Sequence, residues 1–254
     1  MYEKDTFVHL HVHSEFSMLD GAARVPDMFS RTAELGMPAI AVTDHGNLFG
    51  AYEFYKKSQG TGVKPIIGLE AYLVPGHGKR SERKRVQFGD GTGDDVAAKG
   101  AYTHMTMWAP DNQAMHNLFR LSSRSSKEGF FYKPRADREL LSQYGRGLIA
   151  TTGCPSGEIQ TYLRLGKYAE AVAAAAEFRD IFGEGNFYCE LMDHGLDIEN
   201  QVRQDLLKLA RELKLPLVAT NDSHYVHPED AEPHDNLLCV SSGSHKHDQN
   251  RFKF

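Results

Sequence analysis

Short segments scattered along the 254-residue sequence carry residue types that bind metal ions: His11-Val12-His13, Asp44-His45-Gly46, Gly68-Leu69-Glu70, His104, Gly153-Cys154 and Asp222-Ser223-His224. Imidazole, carboxylate and thiolate in one set suit Zn, Mn or Fe, and the mixture argues against an all-oxygen Ca or Mg site. Alternation along a strand sends His11 and His13 to the same side, so one segment can offer two imidazoles to one ion. Each piece also has an ordinary reading. His-x-His occurs in plain sheets, Asp44-His45 can close an Asx turn, and Glu70 can sit at the end of an edge strand. Their convergence points to a metal site. No GxSxG elbow and no Gly-rich phosphate loop with a lysine is present, so serine-hydrolase and nucleotide-triphosphatase chemistries have no residues to carry them.

Convergence requires elements that bring these segments together. Seven short apolar, β-branched or aromatic runs read as strands: Phe7–His13, Ala39–Asp44, Pro65–Val74, Tyr102–Trp108, Leu148–Thr152, Phe187–Met192 and Leu217–Thr220. Helical patterns fall between them at Pro26–Leu35, Leu48–Lys57, Asp111–Lys127, Tyr168–Phe182 and Glu199–Leu213. This alternation predicts an α/β fold of repeated βα units on a parallel sheet. Six of the runs carry or end in a metal-competent group, and the ends of strands are where a β/α barrel or open α/β sheet places its active site.

The remaining composition narrows the function. With 41% hydrophobic and 25% charged residues and no apolar run near the roughly 18 a membrane span needs, collagenous, disordered and membrane-spanning classes are excluded. The opening Met1–Asp5 lacks the pattern of a secretory signal, and three cysteines are too few for a disulfide framework, which predicts a reducing cytoplasm. Cys189 and Cys239 are expected to pack as small hydrophobes, whereas Cys154 follows a strand. A net charge of −5 gives no global footprint for nucleic acid. Among thirteen histidines, His9 is expected in the core or behind the ligands. His194 either orients substrate or a ligand or belongs to a turn. His77, His116, His227, His234, His245 and His247 are expected to be solvated. The basic run Lys79–Arg85 opens an excursion reaching Gly100; it could grip a phosphate backbone, but Asp90, Asp94 and Asp95 dilute its charge, and a solvated mobile insertion is the plainer reading.

Taken together, His11-x-His13-Ser14, Asp20-Gly21, Thr43-Asp44-His45-Gly46, Gly68-x-Glu70, His104, Gly153-Cys154 and Asn221-Asp222-x-His224 resemble the polymerase-and-histidinol-phosphatase (PHP) domain over nearly the whole chain. Within that superfamily, Leu19-Asp20-Gly21-Ala22, Asn47-Leu48-Phe49-Gly50, Glu53–Lys57, Glu128-Gly129-Phe130, Lys133-Pro134-Arg135 and Asn250–Phe254 resemble the amino-terminal domain of bacterial DNA polymerase III alpha subunits. The resemblance implies a seven-stranded β/α barrel, a distorted TIM-like fold, with residues 1–240 as the PHP domain. Residues 241–254 would begin the connection to polymerase domains outside the chain. It also implies three divalent ions. His11, His13 and Asp222 would hold one with Glu70; Glu70 would bridge to a second held by His104 and Cys154; Asp20, His45 and His224 would hold a third.

All nine positions carry competent groups, so the resemblance implies an active phosphoesterase, a proofreading 3′–5′ exonuclease of DNA replication. Its attacking group would be a hydroxide held by the metal ligands, with His194 beside it. Four negative charges from Asp20, Glu70, Asp222 and a Cys154 thiolate leave three divalent ions with net positive charge to attract a phosphodiester. The implied partners are a DNA primer 3′ end, the remaining polymerase domains and other replisome subunits, with no membrane. Two alternatives share the ligands: a free-standing phosphatase acting on a small phosphate ester, and a barrel whose metals chiefly stabilise a polymerase assembly.

Overall fold

The computed structural model describes residues 6–88, 95–251 and 253. The opening Met1–Asp5, the acidic Asp90 and Asp94, and Phe252 and Phe254 of the terminal run lie outside the described residues. In chain order the elements are α1 (Val25–Glu34), β1 (Ala39–Val42), α2 (Ala51–Ser58), β2 (Lys64–Leu73), β3 (Thr103–Trp108), α3 (Asn112–Glu128), β4 (Arg135–Ala136), α4 (Arg138–Tyr144), β5 (Ile149–Thr151), α5 (Glu158–Arg164), α6 (Tyr168–Phe182), β6 (Phe187–Leu191), α7 (Asp197–Leu213), β7 (Leu217–Ala219) and α8 (Ala231–Ser242). The fold is α/β with a seven-stranded sheet. Two compact units divide the chain, one of residues 1–67 with 222–254 and one of residues 68–221. No helix is long and apolar enough to cross a membrane.

In the first unit β1 pairs in parallel with the start of β2, Ala39 opposite Lys64 through Val42 opposite Ile67. The apolar face of α1, Val25, Met28 and Phe29, packs with Val12, Ile40, Val42, Phe54 and Val63 into one core. The expected first strand, Phe7–His13, is not a ladder but a set of isolated bridges, His9 to Ile40 and Val12 to Ser223. The cause is a register slip: Ala41 N donates to the His9 carbonyl and Thr43 N to that of Val12, so three residues on one side span two on the other. The Thr43 hydroxyl accepts from Val12 N and donates back to the Val12 carbonyl, which fastens the displaced segment.

In the second unit β5, β6 and β7 pair in parallel, as a βα repeat requires. The expectation of a wholly parallel sheet fails at β3, which runs antiparallel to both β2 and β5. An antiparallel neighbour needs no helical crossover, and among the described residues the chain between β2 and β3 holds a 3-10 turn at Asp95–Gly100 but no α-helix. β4, α4, α5 and α8 are additions to the elements expected from the sequence. α3 and α4 start on Asp111 and Asp137, whose carboxylates accept from Ala114 N at 2.8 Å and Leu140 N at 3.0 Å.

Within the basic run Arg80 is pinned rather than loose. Arg80 grips Glu128, Asp137 and Glu139 at 2.8, 2.9 and 2.8 Å, which ties the described start of the excursion to the ends of α3 and β4.

Candidate metal centres

The first unit gathers His11, His13, Asp20, His45, Asp222 and His224. His11 and His13 are fully buried, and both direct Nε2 at Asp222 Oδ1, at 3.3 and 3.1 Å. The slipped register thus keeps the two imidazoles on one side, as alternation predicts. Asp222 lies in the left-handed region at φ 46°, which an aspartate tolerates better than most residues and which turns its carboxylate toward the two rings.

Beside this trio, His45 Nε2 lies 2.7 Å from Asp20 Oδ2 and His224 Nε2 lies 3.4 Å from the same oxygen. One ligand atom from each of His13, His45 and His224 falls within 4.8 Å of the others. Asp20 is placed by a tight turn. Leu19 before it is left-handed at φ 64°, and Gly21 after it approaches so closely that a Cβ would stand 2.1 Å from the Ser14 carbonyl oxygen.

The tautomers follow from the surrounding hydrogen bonds. The Ser17 hydroxyl donates to buried Asp44 at 2.8 Å, so it can only accept from His13 Nδ1 at 2.9 Å, and His13 carries its proton there. Ser17 also accepts from His45 N, and Asp44 receives Ser14 N and the Ser14 hydroxyl as well. His224 Nδ1 donates to the Asp222 carbonyl at 2.8 Å. Each Nε2 therefore faces a carboxylate oxygen. Two acceptors at 3.1–3.4 Å repel unless a cation lies between them, either a proton or a metal ion, and the donor set fits a metal.

Electrostatics agree. Burial pushes Asp20 up, but hydrogen bonds from His224 and His45 outweigh it and hold the carboxyl below its ordinary range. Burial likewise opposes ionisation of Asp222, and the charges of His11 and His224 with the bond to His13 overcome it. His224 is lowered by burial but raised overall by Asp222 and Asp20. Asp44, by contrast, is raised, since burial there exceeds the help of its serine partners.

The second unit holds a smaller, softer cluster. Glu70, almost fully buried in β2, places Oε1 3.1 Å from His104 Nδ1 and 3.3 Å from Cys154 Sγ, and Sγ lies 3.7 Å from the same ring nitrogen. His104 stands near the start of β3, not after its end. Because β3 is reversed, its first residues lie beside the exit of β5, where Cys154 follows Thr151. Gly153 permits this approach: it has φ 86°, and a Cβ would be 2.8 Å from the His104 carbonyl oxygen.

Other histidines divide sharply. His9 turns away from the ligands into a cavity of about 130 Å³ among Val12, Ala23, Met28 and Ile40, and its pKa is lowered by burial. His194 has Nδ1 2.5 Å from Glu199 Oε1 and Nε2 2.8 Å from the Asn221 carbonyl, so both nitrogens face acceptors and neither offers a lone pair to an ion. His234, expected in solvent, is buried, with Nε2 2.8 Å from the Asp20 carbonyl and its ring 5.6 Å from that of His224. No spacing could reveal it, since 214 residues separate it from its partner. Ser17, which orients His13, was equally outside the expected set, and Asp44, singled out in the Asp44-His45-Gly46 segment, proves to act through Ser17. Cys189 packs as expected, its thiol pushed up to about 12 by burial, and Cys239 is buried too.

Comparison with known proteins bears on this geometry. The family profile described as PHP domain matches residues 9–194. The chain is 57% identical over 259 residues to DNA polymerase III subunit alpha of Saccharopolyspora erythraea, covering 98% of this chain and 22% of that protein. It is 45% identical over 256 residues to the subunit of the same name from Thermus aquaticus, covering 100% of this chain and 20% of that one. The chain thus spans about a fifth of the length of these relatives. Among solved structures, a protein of Bifidobacterium adolescentis provisionally described as a metal-dependent phosphoesterase superposes with a TM-score of 0.51 at 14% identity, over 89% of this chain and 91% of that one, a likeness of fold.

Proposed function

The chain belongs to the PHP domain family, and from that premise we propose that it is the PHP domain of a replicative DNA polymerase III alpha subunit and acts as a metal-dependent 3′–5′ exonuclease that removes mispaired nucleotides. The observation that carries the reading is the close approach of the His13 and His224 Nε2 atoms to the carboxylates of Asp222 and Asp20, at 3.1 and 3.4 Å, within one cluster of imidazoles and carboxylates. His11, His13 and Asp222 would hold one ion, Asp20, His45 and His224 a second, and Glu70, His104 and Cys154 a third. Zn, Mn and Fe all suit these donors. Such ions, when bound, act as Lewis acids on a phosphoryl oxygen and lower the pKa of water toward neutrality.

The chain's own residues do the rest. Ser17 and Asp44 keep the His13 proton on Nδ1 and so keep Nε2 basic. The Asp222 carbonyl does the same for His224. His234 braces the turn that carries Asp20. His194, clamped between Glu199 and Asn221, is a positioning residue at the exit of β6. A DNA primer 3′ end is the substrate of this reading, the remaining polymerase domains and replisome subunits are its partners, and the cytoplasm is its compartment.

The test compares release of a mismatched and a matched 3′ nucleotide by metal-loaded protein, with histidinol phosphate as a second substrate. Faster removal of the mismatch, lost on chelation, is expected. Turnover of histidinol phosphate alone would make the chain a small-ester phosphatase, and metal-loaded protein inert toward all three would leave the ions a structural role.

A further inference from the structure

We propose that the turn 129–135 of the second unit is a stacking platform for single-stranded nucleic acid, with Phe130 and Tyr132 as the stacking rings and Arg83, Arg85 and Lys133 as phosphate contacts. This rests on the phosphodiesterase reading above and names how that substrate is held.

Phe130 is 55% and Tyr132 63% exposed, an unusual outlay of aromatic surface in one turn. Tyr132 is held in the left-handed region at φ 61°, uncommon for a bulky residue and maintained only where surroundings impose it. Phe131 and Lys133 pair across it, Phe131 N donating to the Lys133 carbonyl at 3.1 Å, and Arg135 anchors the turn. Fully buried beneath the turn, it donates Nε to the Gly129 carbonyl, Nη1 to that of Ala101 and Nη2 to that of Glu82, at 3.1, 3.0 and 2.9 Å, while its guanidinium lies 4.8 Å from the Phe131 ring centre. Phe131 turns inward and its two neighbours turn out. Rings fixed in this way lose little freedom on binding.

The charge around the rings is positive. Arg85 stands 5.2 Å over the Tyr132 ring, steadied by the Ala98 carbonyl. The acids nearby are already engaged: Glu128, Asp137 and Glu139 by Arg80, and Glu82 by Lys84 at 2.9 Å. Among the described residues, none of Arg83, Arg85 and Lys133 forms an ion pair. Exposed rings interleaved with unneutralised cations suit a single strand, because every base has a π-face and every linkage a charge. An acidic peptide would use the cations and leave the rings idle.

The turn also adjoins the donor cluster of its own unit. Lys133 Nζ lies 5.4 Å over the Tyr72 ring, and Tyr72 meets His104 edge-on at 5.1 Å. One aromatic layer therefore separates a platform cation from a residue of the cluster. A strand lying on the platform would feed its end toward Glu70, His104 and Cys154.

The experiment titrates labelled oligothymidylate against the full, metal-free chain and follows fluorescence anisotropy. Phe130→Ser and Tyr132→Asn, the latter chosen because asparagine tolerates the left-handed backbone, should each weaken binding by about tenfold. Lys133→Gln should lower the slope of log affinity against log salt by about 0.7. Unchanged oligonucleotide affinity in the folded double variant would overturn the proposal. So would a polyglutamate probe that binds as tightly and loses as much. If the ring variants fail to fold, the Lys133→Gln and Arg83→Gln slopes decide in their place. Ring-dependent binding without hydrolysis of any substrate would uphold the platform and refute the exonuclease reading, which separates the two.

Discussion

The two donor clusters solve the same problem by different means. In the first unit, which gathers six imidazoles and carboxylates, hydrogen bonds aim the donors: a serine between a histidine and a buried aspartate, a backbone carbonyl behind a second histidine, and a third histidine under the turn that carries Asp20. In the second, a carboxylate, an imidazole and a thiol are brought together by a reversed strand and a glycine that lets one strand exit touch another's entry. Orientation by hydrogen bonds fixes protonation as well as position. Approach of two backbones fixes position, and the donor set it brings together is the softer one.

Substitutions can break that contrast. Asp222→Asn keeps the volume but removes the charge that both His11 and His13 face, and should lower phosphodiester hydrolysis by more than about a hundredfold, the upper reach of losing an outer partner, with the fold retained by circular dichroism. Ser17→Ala strips His13 of its tautomer lock. A loss of about 10–100-fold in metal affinity at the first cluster is expected in competition with a chelator, with the second cluster unaffected. Equal losses at both clusters would show that the lock is not local.

Cys154→Ser should act in the opposite sense, lowering the number of metal ions bound per chain by elemental analysis and reducing hydrolysis by about tenfold, with the first cluster's affinity intact. Full metal content and unimpaired cleavage would show that Cys154 only packs.

The smallest effect belongs to the ion-pair clasp of the second unit, which holds the excursion and not the donors. Glu128 is held down to about 2 by its hydrogen bonds to Arg124 and Arg80. Its folded value lies below its ordinary 4.5, so the stability it adds is present above pH 4.5 and is lost as pH falls through about 2. Glu128→Gln should lower Tm by about 1–3 °C at pH 7, and by progressively less as pH falls toward and below about 2, and leave metal content unchanged.

What could be read from the sequence follows the range of the forces involved. His11 and His13 were legible because alternation is a property of three consecutive residues, and the helix Tyr168–Phe182 because its apolar spacing is local. The reversal of β3 was not, since strand direction depends on how the excursion returns and not on the run itself. Its consequence is that His104 belongs at the start of its strand, where a parallel reading would have it misplaced. The register slip at His9 to Val12 hides for a similar reason: the residues favour extension, and the extra residue shows only in the partner's hydrogen bonds. Ser17, His234 and the role of Asp44 behind His13 escaped because the partners are 4, 214 and 27 residues away and a serine, a helical histidine and a turn aspartate are commonplace in themselves.

Leu19 adds a different lesson. A leucine with positive φ holds a backbone that costs it roughly 1–2 kcal/mol and that glycine would adopt without penalty. Its side chain is 47% exposed, so packing recovers little of that cost. A glycine there would relax the turn and also let it wander, carrying Asp20 through many orientations that leucine forbids. The penalty is the counterpart of intolerance: the turn has few ways to be wrong. Leu19→Gly would then give a protein that melts no earlier yet holds its ion less firmly, in which thermal robustness and fidelity of the site part company.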